Sequence, residues 1–298
     1  MTGRIVKGIA GFYYIDVPGE GIIECHAKGT LRRDRYKRPL VGDVVDLEYV
    51  DREAMTGSMT AIHDRKSELI RPEIANVDQV LIVMAYEKPA PNLQLLDRFL
   101  ICLEKQNADC IICFNKSDKA DDEKIDRIAS DYRDCGFPVL SISAKADDDM
   151  EALKKLLEGK MTALAGPSGV GKSTIINRLC EKYIMETGGV SEKTARGKHT
   201  TRHSEIFRLR DFKDTYIADT PGFTALELME DIDSASIKAY YREFFPYEGM
   251  CRFDPCSHTH EPGCAVKQAL ADGYIGRLRY DNYHALYTEQ RDKEKNKY

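Results

Sequence analysis

The sequence predicts an α/β protein in three parts: an all-β N-terminal barrel, a middle domain of alternating strands and helices, and a helical C-terminal domain that binds metal. Three observations predict this. Period-2 apolar runs fill the first 65 residues, and continuous apolar strands alternate with amphipathic helices from residue 77 onward. Three cysteines and a histidine then fall between positions 251 and 264. Boundaries are expected at 1–65, 66–225 and 226–298.

Bulk composition limits the options. The 298 residues are 42% hydrophobic, enough for real cores, and the net charge of −5 excludes a general polycation. Any nucleic-acid contact must come from local patches. The first residues carry no apolar signal core, and no run of 18 apolar residues occurs. A soluble, cytoplasmic protein with no membrane association is expected. Of nine cysteines, Cys25, Cys102, Cys110, Cys113, Cys135 and Cys180 lie in apolar periodic segments and are expected as buried reduced thiols.

Apolar and polar residues alternate over 4–9, 12–17 and 43–50, with Gly and Pro between the runs. About five short strands in this length suggest a closed OB-type barrel. Between two of them, residues 28–38 carry six positive charges, one negative charge and Tyr36. A charge run by itself is usually a solvated loop. On an OB barrel, a basic loop with a tyrosine is a means of gripping RNA.

Residues 65–76 read as a polar connector, and the pattern then changes. Residues 77–85 form a continuous apolar strand of the kind buried in a parallel sheet. An amphipathic helix over 93–106 follows, with Asn92 as its N-cap. A strand over 108–114, a helix over 121–135 and a strand over 138–142 complete the doubly wound pattern, whose ligands sit at the carboxyl ends of strands. A short strand over 161–165 and a helix over 173–180 flank Gly166-Pro167-Ser168-Gly169-Val170-Gly171-Lys172-Ser173-Thr174.

That stretch fits the P-loop pattern G-x-x-x-x-G-K-[ST]. Its glycines let backbone N–H groups turn inward onto phosphate oxygens, Lys172 reaches the β- and γ-phosphates, and the Ser173 hydroxyl can ligate Mg²⁺. Asn115-Lys116-Ser117-Asp118 fits the guanine motif N-K-x-D. A carboxylate at Asp118 accepts from guanine N1–H and the 2-amino group, a donor pair that adenine lacks. Ser143-Ala144-Lys145 matches S-A-K, whose backbone N–H addresses guanine O6. Asp219-Thr220-Pro221-Gly222 fits D-x-x-G, with Asp219 supporting Mg²⁺ and the Gly222 N–H meeting the γ-phosphate. N-K-x-D or D-x-x-G alone is a weak four-residue match, but with a strand expected over 215–218 before D-x-x-G, three motifs at predicted strand ends beside a P-loop define a GTP-binding domain.

The order is unusual, because N-K-x-D and S-A-K precede the P-loop. A compact domain with neighbouring termini can be circularly permuted and keep its site. The chain then leaves this domain just after Gly222, the segment that responds to the γ-phosphate. Between the P-loop and D-x-x-G lies Gly197-Lys198-His199-Thr200-Thr201-Arg202-His203. Thr201, with Thr200 as its rival, is expected to close over Mg²⁺ as switch I. Gly222 is followed by Phe223 and not by a water-orienting glutamine, so His199 becomes the candidate for completing the catalytic site.

Residues 227–245 read as helical. Cys251, Cys256, His258 and Cys264 then form a full tetrahedral Zn²⁺ set of the closed, structural type, with His260 as a spare. Residues 264–297 are helical in pattern, with Arg277, Arg279 and a Lys-rich end.

With these motifs in this order, the chain resembles the ribosome small-subunit-dependent GTPase family (RsgA/YjeQ) along its whole length. The resemblance implies binding of the 30S subunit and its 16S rRNA during late maturation, with GTP hydrolysis to GDP stimulated by the subunit and coupled to release. It carries nucleotide contacts onto Asn115, Lys116, Asp118 and 166–174, zinc onto the Cys₃His set, and a catalytic role onto His199. Lys198 departs from the arginine common in relatives. A monomer is expected. A GTP-dependent switch that recruits a protein effector is the alternative; net acidity favours it, while the basic residues of 28–38 and 193–210 favour RNA.

Overall fold

Period-2 patterning turns one face of each N-terminal strand into a shared core. Strands β1 (Thr2–Ile9), β2 (Phe12–Val17), β3 (Gly21–Ala27), β4 (Val44–Asp51) and β5 (Thr56–Ile62) pair in the order β1-β2-β3-β5-β4, and β4 pairs back onto β1. This closes a five-stranded barrel in which β3 and β5 run parallel and the remaining pairs antiparallel, an OB-like arrangement. Ile5, Ile15, Ile23, Val45, Leu47 and Met59 fill it. Cys25 shares this core, and burial pushes its thiol up to about 11.

This computed structural model describes residues 1–28, 38–69, 73–146, 149–180, 205–209, 212–219 and 232–296. The expected connector after the barrel carries a small antiparallel hairpin, β6 (Glu68–Leu69) with β7 (Ile74–Ala75). Every residue of β8 (Gln79–Ala85) is buried, as a continuous apolar strand requires. Helix α1 (Leu93–Lys105) starts where Asn92 Oδ1 accepts from the Leu95 N–H at 2.9 Å. Then come β9 (Asp109–Asn115), α2 (Asp122–Tyr132), β10 (Val139–Ser141), α3 (Met150–Leu157), β11 (Met161–Ala165) and α4 (Lys172–Leu179). Two short strands follow, β12 (Glu205–Arg208) and β13 (Tyr216–Asp219).

The C-terminal part departs from the sequence expectation. In place of one helix over 227–245, the described portion holds two 3-10 turns, Ser234–Tyr240 and Arg242–Tyr247. Asp233 starts the first by capping the Ser236 N–H, extended backbone at Tyr241 ends it, and Pro246 lies inside the second. The predicted helical run to the C-terminus is two helices, α5 (Ala265–Ala271) and α6 (Arg277–Lys295). Gly273, at φ +79°, lies between them.

The chain divides into two compact units. One contains Met1–Val80, Glu151–Ala165 and Lys172–Phe223. Its strands run β11-β13-β12-β1-β2-β3-β5-β4, with β11 parallel to β13 and β12 antiparallel to both β13 and β1. The other contains Leu81–Met150, Gly166–Gly171 and Thr224–Tyr298. In it β9 lies between β8 and a parallel β10. Ile101 of α1 joins Ile237, Tyr241, Phe244, Tyr283 and Leu286 in one apolar cluster, which seats the C-terminal segment on α1. The six cysteines expected as buried thiols are buried.

Candidate nucleotide and metal sites

At the carboxyl end of β9, Asn115 and Lys116 reach back to the P-loop backbone. Asn115 Nδ2 donates to the Val170 carbonyl at 2.9 Å, and its Oδ1 accepts from the Ala144 N–H at 3.1 Å. Lys116 takes up left-handed backbone, φ +64°, and its Nζ donates to the carbonyls of Gly169 (2.7 Å) and Lys88. Partial burial lowers the Lys116 ammonium, and nearby Lys119 adds to the effect. Two glycines make the close approach possible. A Cβ on Gly166 (φ +128°) would lie 2.1 Å from the Val83 carbonyl oxygen, and one on Gly171 (φ +102°) 2.3 Å from Asn115 Nδ2. Asp118 stands exposed two residues beyond Lys116. The Ser143 hydroxyl donates to its Oδ1 at 2.6 Å, and the Ala146 N–H to Ser143 Oγ at 3.2 Å. The carboxylate is thereby aimed, and it is chemically suited to a paired N–H donor. Ala144 is buried and Lys145 exposed at the same strand end.

The last residues of the P-loop pattern begin α4. Lys172 is its first residue, followed by exposed Ser173 and Thr174. Burial pulls the Lys172 ammonium below its ordinary value, against the attraction of Asp219. Burial likewise pushes Asp219 up; Lys172 opposes the shift and Glu205 adds to it. A cation and a carboxylate, both partly withdrawn from water at a helix start, suit a polyphosphate with Mg²⁺.

The Cys₃His residues converge. One ligand atom from each of Cys251, Cys256, His258 and Cys264 lies within 4.8 Å of the others. Cys251 Sγ and Cys264 Sγ are 3.9 Å apart, and His258 Nδ1 lies 3.6 Å from Cys251 Sγ and 3.4 Å from Cys264 Sγ. Tetrahedral bonding at Zn–S and Zn–N lengths requires spacings of about 3.8 Å and about 3.6 Å. The set therefore fits zinc with no ligand position left over. Burial, with the neighbouring Cys251 and Cys264 thiols, pushes the Cys256 thiol up to about 12, and burial with Lys238 pulls the His258 imidazole down, so the ion's charge would have to draw off the thiol protons. His260 is exposed, bonds Thr259 Oγ1 and stays outside the set.

Several supporting residues escaped the sequence reading. The carbonyls of Cys256, Ser257 and His258 accept from Lys238 Nζ (2.9 Å), Tyr283 OH (2.5 Å) and Tyr280 OH (2.7 Å). Glu261 accepts from the Ser257 and Thr259 N–H groups on either side of His258. Burial works against its charge, yet the bonds from Ser257 and Thr259 hold its carboxyl at about 2. The available signal was Tyr280 and Tyr283, spaced i, i+3 on α6. Ser143 as the aligner of Asp118 carried no signal beyond its motif. The basic stretch 29–37, the switch candidates His199, Thr200 and Thr201, and Gly222 lie outside the described residues.

An aligned carboxylate in the N-K-x-D motif and two side chains tied to the P-loop carbonyls in one unit, with a lysine and an aspartate that face each other in the other unit, fit the class of P-loop GTPases with permuted motifs. Comparisons agree. The RsgA GTPase family matches residues 62–229, and the RsgA N-terminal domain matches 2–56. A small ribosomal subunit biogenesis GTPase RsgA of Agathobacter rectalis is 47% identical, covering 99% of this chain and 100% of its own. One from Caldanaerobacter subterraneus is 44% identical over 100% of this chain and 98% of its own. Among solved structures, YjeQ from Thermotoga maritima superposes with a TM-score of 0.75 at 30% identity, covering 97% of this chain and 98% of its own. The circularly permuted GTPase YloQ gives 0.73 at 33%, covering 98% and 95%. The chain belongs to the RsgA GTPase family. It is a GTP hydrolase, and such enzymes work on GTP with Mg²⁺. No described helix is long and apolar enough to cross a membrane.

Proposed function

We propose that this chain binds the 30S subunit through its rRNA in the GTP state, assists late maturation, and leaves when the subunit stimulates hydrolysis. The observation that carries the nucleotide half is the tie of Asn115 and Lys116 to the carbonyls of Val170 and Gly169. It holds the phosphate loop in register with Asp118. In this reading Asp118 takes the guanine N1–H and 2-amino donors, and the Ala144–Lys145 backbone faces O6. The 166–171 N–H groups and Lys172 hold the phosphates. Mg²⁺, held by Ser173 and Thr201 with Asp219 in support, would neutralise charge between the β- and γ-phosphates. His199 would orient the attacking water, and the Gly222 N–H would meet the γ-phosphate.

The three segments 1–65, 66–225 and 226–298 act as an RNA-binding barrel, the GTPase and a zinc-clipped helical domain. Zinc on Cys251, Cys256, His258 and Cys264 fixes the fold of the last. The protein works in the cytoplasm as a monomer. The names of its full-length relatives support the ribosomal reading over effector recruitment.

Co-sedimentation with 30S subunits tests the proposal. Wild type should pellet with 30S in a non-hydrolysable GTP analogue and far less in GDP. Replacing Arg32, Arg33 and Arg35 with Ala should flatten the salt dependence by about one unit of slope per lost phosphate contact. Equal pelleting in both nucleotides would refute a GTP-gated subunit partner.

A further inference from the structure

Strand β12 is only four residues long, yet both its ends are fastened to the barrel. On one side it pairs with β13 residue for residue, from Glu205 opposite Asp219 to Arg208 opposite Tyr216. On the other it pairs with β1, Glu205 opposite Lys7. At its first residue, Lys7 Nζ lies 2.9 Å from Glu205 Oε1. The strand register thus runs Lys7, Glu205, Asp219, from the barrel to the carboxylate that faces Lys172.

The last residue of β12 carries a second fastening. Asp16 of β2 accepts from Tyr216 OH at 3.2 Å and from Arg208 Nη1 at 3.3 Å. Arg4, the register partner of Asp16 in the barrel, lays its guanidinium 4.9 Å from the Tyr216 ring centre. Between the two fastenings β1 is buried on both faces. Ile5 points into the barrel core, and Val6 packs with Ile206, Tyr216 and Ala218.

The Lys7–Glu205 pair is too exposed to add much stability. Its position is what matters. A packed ladder has discrete registers and does not deform smoothly, so β13 and β12 cannot shift at the phosphate end without carrying β1 or breaking both fastenings. We propose that the β1–β12 seam, held by Lys7–Glu205 and by Asp16 with Arg208 and Tyr216, carries the nucleotide state of the GTPase into the barrel. This rests on the reading of Lys172 and Asp219 as the phosphate end of a GTP site. Lys7, Asp16 and Glu205 are then positioning residues that act through Asp219 and the strands, not catalytic residues.

Hydrogen exchange on the isolated full chain tests the seam, with GDP compared with a non-hydrolysable GTP analogue plus Mg²⁺. In wild type, amides of residues 4–8 and 12–17 should change exchange rate by about fivefold or more between the two states, the low end of ordinary coupling. Lys7→Glu with Asp16→Asn should abolish that change and leave the nucleotide response of Lys172–Leu179 intact. Lys7→Arg should retain the wild-type behaviour, which a merely bulk effect on packing would not predict. Tyr216→Phe removes only one hydroxyl from the second fastening; it should reduce the barrel response even if the double variant proves unstable. A wild-type barrel that differs by less than about twofold between states overturns the seam, and so does an undiminished response in both the double variant and Tyr216→Phe. A chain in which Lys172–Leu179 ignores nucleotide overturns the underlying GTP reading as well, so the two failures are distinguishable.

Discussion

Arg279 is a buried arginine set between two buried carboxylates. It is 2% exposed, and its guanidinium meets Asp97 Oδ1 and Glu243 Oε1, each at 2.6 Å. Tyr132 and Tyr241 donate to the same Asp97, and the Tyr241 ring centre lies 4.3 Å from the guanidinium. Burial pushes the Asp97 carboxyl up, with Arg279 and the Tyr132 hydroxyl opposing, and burial also works against the charge on Arg279, but an arginine stays protonated in any protein. Arg279→Ala would leave Asp97 and Glu243 buried without their cation. Breaking one side of a buried pair costs about 3–5 kcal/mol. Two tyrosine donors remain on Asp97, so about 4 kcal/mol is the expected loss at pH 7.5. At about 2–4 °C per kcal/mol, melting should fall by about 8–16 °C. The pH dependence has a definite sign. Without its arginine, Asp97 has a folded-state pKa above its unfolded value, so the folded variant binds the extra proton and gains stability as pH falls. The deficit should therefore shrink between pH 7.5 and 5.5 in calorimetric melts. A loss below about 3 °C, or a deficit independent of pH, would refute the view of Arg279 as the cation that this buried site requires.

Guanine selectivity should rest on Asp118: Asp118→Asn is expected to weaken GTP by about 100-fold or more and to favour xanthosine triphosphate, because two charge-assisted bonds are lost and the amide donates to the xanthine oxygen. Unchanged GTP affinity in equilibrium titration would remove Asp118 from the site. Cys256→Ser should abolish bound zinc in metal analysis and raise hydrogen exchange beyond about residue 245 while GTP binding persists, since structural zinc is worth on the order of 10 kcal/mol to a small domain. Tyr280→Phe with Tyr283→Phe should weaken zinc retention against a chelator by about 10–100-fold, because these hydroxyls hold the carbonyls of His258 and Ser257. His199→Ala should leave GTP and 30S binding unchanged and remove most of a stimulation worth about 10³–10⁵ in rate. Single-turnover hydrolysis with saturating 30S that keeps full stimulation in this variant would place the catalytic group on the ribosome.

What was legible in the sequence follows the range of the forces involved. The P-loop, N-K-x-D and the Cys₃His set are short stretches whose backbone needs and ligand chemistry are written in adjacent residues; among the described members, Asn115 and Lys116 reach the P-loop carbonyls and the Cys₃His atoms converge within 4.8 Å. The strands of the barrel were legible because period 2 is a local signal, and Asn92 and the fully buried β8 for the same reason. β12 was not, because four residues with charged ends become a strand only through partners at Lys7 and at residues 216–219. Over 227–245 the apolar spacing suited an α-helix, but the break at Tyr241 serves tertiary contacts: that ring stacks on Phe244, and its hydroxyl bonds Asp97. Arg277 and Arg279 make the point within a single turn. In sequence they are two basic residues at the start of a charged helix. Two positions along a helix is about 200° of rotation, so one side chain turns outward to Asp281 and the other inward between two carboxylates. The cation that would have read as surface solubility is the one buried between two carboxylates, and nothing local distinguishes it from its neighbour. Only Asp97 and Glu243, 182 and 36 positions away in the chain, do so.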